Sequence, residues 1–326
     1  MVATYALATF YIYMQKNSNK ILLITPINPQ LINNKPLPLY QVQNYWLKTL
    51  KALGHKVTVF GLQKKQSKLF NYYKLNKIIQ KHQPDHVFFS AGIDKLYPIK
   101  NTIFFCGVPL IKLSSSEIKI GQKAKLIVVN DPVHQTQWQK ITKSKVINLP
   151  LSAVDPEIFK PGKLKKKFNL VFIGTLFKNR QLQLIKLVNL GIDLKIWGWI
   201  PPSVSLHPSL KSSYQGEAWG RQVVKIYQQS KIALNLVPDH MIDGGNLRTF
   251  EIPACQTLEF VDKINPEYYQ PQKEIIVFNS PKDLKNKLEF YLSHPNKRQV
   301  IAKAGYRKTI NHHTFKHRFK KLLKLL

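Results

Sequence analysis

Nine residues, Asp243-Gly-Gly-Asn-Leu-Arg-Thr-Phe-Glu251, hold two carboxylates, two adjacent glycines, an asparagine and an arginine. Gly244 and Gly245 admit backbone angles that a side chain forbids and let a ligand come close to the main chain. The run from Leu247 to Cys255 lacks strand alternation and predicts the start of a helix, whose free N–H groups and positive dipole end attract an anion. Arg248 adds a forked donor suited to phosphate oxygens. Two readings are open: a phosphate-binding turn that opens a helix, or an ordinary Asx/Gly turn with Arg248 in solvent.

Positioning such a turn takes a sheet, and the chain supplies strand patterns on both sides of it. Lys20 to Thr25 is an apolar run ending in a Pro/Asn-rich loop, Pro26 to Pro38. Tyr40 to Leu53 then carries apolar residues at helical spacing up to Gly54, and the β-branched Lys56 to Phe60 completes a βαβ unit. The alternation continues with a helix near Tyr72 to His82, strands at His86 to Ser90, Thr102 to Cys106 and Leu126 to Asn130, a helix after Pro132 and a strand at Val146 to Leu149. From Pro150 the sequence turns to prolines and lysines, which predicts an interdomain connection near 155–167. A second series follows: a strand at Asn169 to Gly174, a helix from Leu176 to Leu190, a strand at Asp193 to Trp197, a helix from Trp219 to Ser230, and the strand Ile232 to Leu236 that delivers the chain to the opening motif. Strands at Leu258 to Val261 and Ile275 to Phe278 and three helices complete it. The expected organisation is residues 1–19 as a leader or surface segment, an N-terminal domain at 20–155, a second domain at 156–310 and a basic C-terminal helix at 311–326.

A length of 326 residues suits two domains rather than one core. Cys106 and Cys255 lie far apart without metal-ligand spacing, so packing in a reducing, cytoplasmic setting is expected rather than a disulfide. The net charge of +33, from 50 Lys and Arg against 17 Asp and Glu, predicts attraction to a polyanion. The lysines are scattered rather than gathered with aromatics in a recognisable module, which argues against nucleic acid and for peripheral contact with anionic lipid. Met1 to Met14 is apolar but too short to span a bilayer, and Tyr5, Phe10, Tyr11 and Tyr13 would suit a membrane surface.

The two Rossmann-like halves resemble the GT-B glycosyltransferases, in which such domains face each other across a cleft. "KVINLPLSAVDPEIFKP" looks like the hinge of the retaining family 4 enzymes, with Val154, Asp155, Phe159 and Pro161 at matching positions and Ala153 replacing a glycine. "YQGEAWGRQVVKIYQQSKIALNL…DGGNLRTFEIPAC" and the C-terminal "YLSHPNKRQVIAKAGYRKTINHHTFKHR" are similar to the spore-maturation, CgeB-like branch. The likeness covers about residues 120–326 well and the rest only in topology.

The resemblance implies a glycosyltransferase that moves a sugar from a nucleotide diphosphate sugar to a glycan, lipid or protein acceptor, with retention and without a metal or other cofactor. In that family an acidic pair with seven residues between forms the donor site; here these are Asp243, expected near the sugar, and Glu251, expected on the ribose hydroxyls. Gly174, Lys178 and Arg180 fall where the family holds the diphosphate, with Gly244, Gly245, Asn246 and Arg248 as further donor-binding positions. Tyr214 and Gly216 sit where it packs the nucleobase, and Trp197 and Trp199 either line the donor cleft or fill the core. Asp131, just after a strand, is the candidate for acceptor-side catalysis. His312, His313 and His317 match a family signature and read as interdomain packing or surface rather than metal ligands, having no carboxylate or cysteine partner. No Asp-x-Asp occurs in the chain. Two departures, Gln256 in place of the usual glycine and the lack of an evident N-domain histidine, favour as alternative a non-catalytic nucleotide-sugar binder of the same fold. A basic nucleic-acid-binding protein is the other alternative.

Overall fold

The computed structural model describes residues 18–26, 41–62, 67–90, 98–150, 152–243 and 245–326. The expectations for Met1 to Met14, for most of the Pro/Asn-rich loop and for Gly244 lie outside these residues.

The described residues up to 150, together with Phe315–Leu326, form one compact unit, and Ser152–Thr314 form the other. The first unit holds strands β1 (Lys20–Pro26), β2 (Lys56–Leu62), β3 (His86–Ser90), β4 (Thr102–Cys106), β5 (Leu126–Val129) and β6 (Lys145–Asn148) in the order β2-β1-β3-β4-β5-β6. Every pairing is parallel. That explains the continuous apolar runs: Ile21 to Ile24, and Val87 to Phe89 in β3, are at most 3% exposed, as a parallel sheet covered on both faces requires. The helices between strands are Gln41–Ala52, Lys68–His82, Ser115–Gln122 and Pro132–Gln139. Local signals set their starts. Ser114 and Glu117 form a reciprocal capping box, and Asp131 caps the helix whose first residue is Pro132.

The last helix, Phe315–Leu323, returns to the first unit. Phe319 packs 5.9 Å from Trp46 and 6.3 Å from Phe88, and Phe315 lies 5.6 Å from Tyr45. The two crossing segments of chain run side by side, because Val154 pairs with Thr314 in a parallel bridge and its N–H donates to His313 O at 3.1 Å.

In the second unit, β7 (Phe168–Ile173), β8 (Leu194–Trp197), β9 (Ser230–Asn235), β10 (Leu258–Val261) and β11 (Ile276–Val277) form an all-parallel sheet in the order β11-β10-β9-β7-β8. The chain leaves β7 toward β8 on one side and then crosses to β9 on the other. The carboxyl ends of β7 and β9 are therefore the point where the winding reverses, the place at which open α/β sheets bind ligands. Helices Lys178–Asn189, Arg221–Gln228, Arg248–Ala254, Pro281–Ser293 and Pro295–His312 cover the sheet. Both cysteines are free and buried. Among the described residues, no helix is long and apolar enough to cross a membrane.

Candidate functional site

Outside the carboxyl ends of β7 and β9 lies a cavity of about 300 Å³. Ile173, Gly174 and Thr175 come to it from β7, Asn235 and Leu236 from β9, Arg180 from the helix after β7, and Asn246 and Arg248 from the motif after β9. Its described lining carries two guanidinium groups and no carboxylate.

The two arginines are held by backbone. Arg180 donates from Nη1 to Thr175 O and from Nη2 to Leu236 O, both at 3.0 Å, so its fork bridges the two strand ends, and its Cζ sits 5.7 Å from the Phe172 ring centre. Burial lowers its pKa from the usual value; Asp262 and Asp239 draw it back up, and Arg248 adds to the lowering. Arg248 donates from Nε to Ile173 O at 3.2 Å and pairs through Nη1 with Glu251 Oε2. The helix carrying that pair spans only seven residues, Arg248–Ala254, with Pro253 inside it, so the charge at the cavity comes from the guanidinium groups.

Glu251 is fully buried and does not line the cavity. Burial pushes its carboxyl up, while the charge and hydrogen bond of Arg248 pull it down. Its Oε1 has no hydrogen-bond partner among the described residues.

Close backbone contact shapes the β7 side. Gly174 N donates to Trp197 O at 3.0 Å and Leu176 N to Trp199 O at 2.9 Å, which locks the loop after β7 onto the end of β8. A Cβ on Gly198 would collide with the Gly174 carbonyl oxygen, and one on Gly174 would stand 3.6 Å from Arg180 Nη1, in front of the guanidinium.

A polar chain that the sequence reading missed runs back from the cavity. Asn246 Nδ2 donates to Asn235 Oδ1 at 2.8 Å, and Asn235 Nδ2 donates to Glu259 Oε1 at 2.8 Å and to Thr249 Oγ1 at 3.2 Å. Asn246 Oδ1 accepts from Thr249 N at 3.1 Å, which fastens the start of the short helix. Glu259 is 1% exposed, and burial pushes its carboxyl well above the ordinary range. Such surroundings favour the protonated form of the carboxyl. Below about pH 4.5 both folded and unfolded chains hold this proton; above it the unfolded chain releases it first, so stability falls as pH rises toward the folded value. Glu259→Gln is therefore expected to cost less than about 1 kcal/mol below about pH 4.5, where the amide replaces a neutral acid. It should also remove a decline of up to about 1.4 kcal/mol per pH unit above about pH 4.5, read from denaturant melts across pH.

The remaining expected residues fall elsewhere. Lys178 is exposed on the helix after β7, and Asp243 is exposed in the turn that precedes Gly244; neither is in the cavity lining. Gly245 is buried against the Phe250 ring. Tyr214 and Gly216 pair with the end of β8: Tyr214 Oη donates to Gly198 O at 3.0 Å, and Gly216, with φ of 93°, accepts from Gly198 N at 3.0 Å. Trp197 is core, 5.2 Å from Phe168. In the first unit, Asp131 is fully buried and accepts from Val133 N at 3.0 Å as a helix cap. His313 corrects the reading of surface or interdomain packing: it is 5% exposed inside the second unit, against Phe250, Tyr268 and Tyr269, with Nε2 2.9 Å from Tyr268 O. Among the described residues, no three His, Cys, Asp or Glu side chains gather as a metal site.

Gln256, the residue that replaces the family's glycine, adopts φ of 54° at the end of the short helix, with its N–H on Pro253 O at 2.8 Å. The left-handed conformation explains why glycine suits this position, and a side chain there strains the backbone. Gln256→Gly is expected to raise stability by about 1 kcal/mol in denaturant melts.

A model of the family described as "Glycosyl transferase-like" matches residues 180–324, starting at the arginine that bridges β7 and β9. The spore protein CgeB of Bacillus subtilis (strain 168) is 27% identical over 226 residues, which cover 63% of this chain and 66% of CgeB, just under two thirds of that relative. Among solved structures, a glycosyltransferase from Rickettsia africae ESF-5 superposes with a TM-score of 0.66 at 15% identity, covering 95% of this chain and 98% of that one. Anabaena HepE in complex with UDP superposes with a TM-score of 0.62 at 12% identity, covering 94% and 100%. The likenesses to solved structures show the fold, the two-unit GT-B architecture, and the sequence matches show a similarity to glycosyl transferase-like proteins over residues 180–324 and to CgeB.

Proposed function

We propose that the cavity between β7 and β9 receives the diphosphate of a nucleotide-sugar donor and that the chain transfers the sugar to an acceptor. The observation that carries this reading is a cavity at the winding reversal of a parallel sheet, lined by two guanidinium groups and no carboxylate among its described residues. A diphosphate leaving group gains charge as the glycosidic bond breaks, and fixed cations lower the barrier by meeting that charge where it grows. Arg180 and Arg248 take this role without a divalent ion. Gly174 lets an oxygen approach both the backbone and the Arg180 fork.

The HepE structures in complex with UDP and with UDP-glucose support a uridine donor as the first one to try. In this reading Asp243 lies on the sugar side, Glu251, fully buried, holds the Arg248 guanidinium at the cavity rather than meeting a ribose, the family likeness implies retention of configuration, and the cysteine usage suits a cytoplasmic setting. A ligand that binds only the folded chain raises its stability by mass action, by about 2.7 kcal/mol at a hundredfold excess over Kd. Thermal melts over uridine, guanosine and adenosine diphosphates and their glucose esters, paired with assay of released glucose, test the proposal. A specific shift with one diphosphate and sugar release from its ester support it; no shift with any of them overturns it. A shift without release or transfer favours the non-catalytic alternative.

A further inference from the structure

The helix Lys68–His82 in the first unit exposes large apolar side chains that its core packing does not use. Asn71 and Leu75, four residues apart, are its buried face. Leu69 is 72% exposed, Phe70 44% and Tyr73 59%. At three- and four-residue spacing, Phe70, Tyr73 and Lys77 share the outward face with Lys74 and Lys81. Lys74 Nζ lies 4.3 Å above the Phe70 ring and Lys77 Nζ 4.4 Å above the Tyr73 ring. The helix carries four lysines and no Asp or Glu. Lys68 reaches Ser116 Oγ, and the turn Leu110–Lys112 just before that helix presents Ile111 92% exposed beside a fifth lysine.

We propose that this face is a docking surface for a bilayer carrying anionic headgroups. Charge complementarity selects the occupant. An interfacial helix places aromatic and leucyl side chains at the headgroup boundary while lysines reach lipid phosphates, and here each ring already lies beneath a lysine head that can swing outward on its flexible stem. Nucleic acid fits less well, since Leu69, the most exposed of these helix side chains, offers no ring for a base to stack on and the surface is an isolated helix rather than a groove. The net charge of +33 adds long-range attraction to the same partner. The surface is independent of the donor-site reading.

The test is flotation of the full chain with phosphatidylcholine vesicles, with and without phosphatidylglycerol, at low and high salt. Wild type should float only with phosphatidylglycerol and lose binding as salt rises. Lys74→Gln/Lys77→Gln/Lys81→Gln should weaken binding about a hundredfold, at about fivefold per lysine. Phe70→Ser/Tyr73→Ser should weaken it at least tenfold with charge unchanged. Removal of the same charge from the C-terminal helix, Lys316→Gln/Lys320→Gln/Lys321→Gln, should change it only a few-fold. All three sets replace exposed side chains, and unchanged melting temperatures verify folding. Tyr73→Trp adds a direct readout, a blue-shifted emission on binding. Wild type that stays unbound, equal losses from both lysine sets, an intact Phe70/Tyr73 variant, or an oligonucleotide that binds where vesicles do not would each overturn the proposal.

Discussion

Arg180→Ala is expected to weaken nucleoside diphosphate binding by about ten- to a hundredfold, the loss typical of removing one charge-assisted hydrogen-bond donor. Arg180 is more than a charge beside a pocket. Its fork closes on the carbonyls of Thr175 and Leu236, so it fixes the opening between β7 and β9 while its remaining N–H groups stay available to a ligand. Truncation removes the cation and leaves two half-buried carbonyls without their donor, at about 1–3 kcal/mol for each that water does not reach. Binding should therefore be measured calorimetrically at a temperature where the variant is folded. Arg180→Lys keeps the charge but cannot span both carbonyls, and should recover only part of the affinity. Full affinity in Arg180→Ala would place the diphosphate elsewhere.

The second large effect concerns Arg248 and Glu251, and it should be asymmetric. Glu251 is fully buried whereas Arg248 is 23% exposed, so each partner leaves a different remainder when the other is removed. Arg248→Ala strands a buried carboxyl and should cost about 3 kcal/mol at pH 7, the lower end of the range for breaking a buried pair because solvent screens Arg248. Glu251→Gln leaves a guanidinium that can turn to water and should cost about 1–2 kcal/mol. The pH dependence separates them. Burial raises the Glu251 carboxyl and Arg248 lowers it, so in Arg248→Ala the upward push stands alone. The folded variant then keeps a proton that the unfolded chain releases above about 4.5; stability falls as pH rises past that value and recovers on acidification. Glu251→Gln has no such group and should lack this component. If Arg248→Ala melts identically at pH 5 and pH 8, Arg248 does not govern the titration of Glu251.

Much of the fold was legible because parallel sheets announce themselves. Runs such as Ile21 to Ile24 and Val171 to Ile173 are apolar on both faces, and the crossover helices between them leave few topologies. Gly174, Arg180, Asn246 and Arg248 were legible as donor-site candidates through the family resemblance, and the structure brings these four to one cavity. What sequence did not show was depth. Glu251 reads as a carboxylate open to the ribose hydroxyls, but the structure buries it fully, paired with Arg248. Asn235 and Glu259 sit inside patterns that read as plain strands, and only the pairing of β9 with β10 puts their side chains in contact. Asp131 illustrates the converse: a carboxylate before Pro132 suits a helix cap as well as an acid–base group, and the structure shows the cap.

The return of Phe315–Leu323 to the first unit bears on the order of events during synthesis. The chain emerges from its N-terminal side, yet Trp46 and Phe88 keep an open flank until Phe319, more than two hundred residues later, reaches them. Ser152–Thr314 can complete its own core earlier, since every strand of its sheet and the helices over it lie within that span. The later half can thus close before the unit made first is complete.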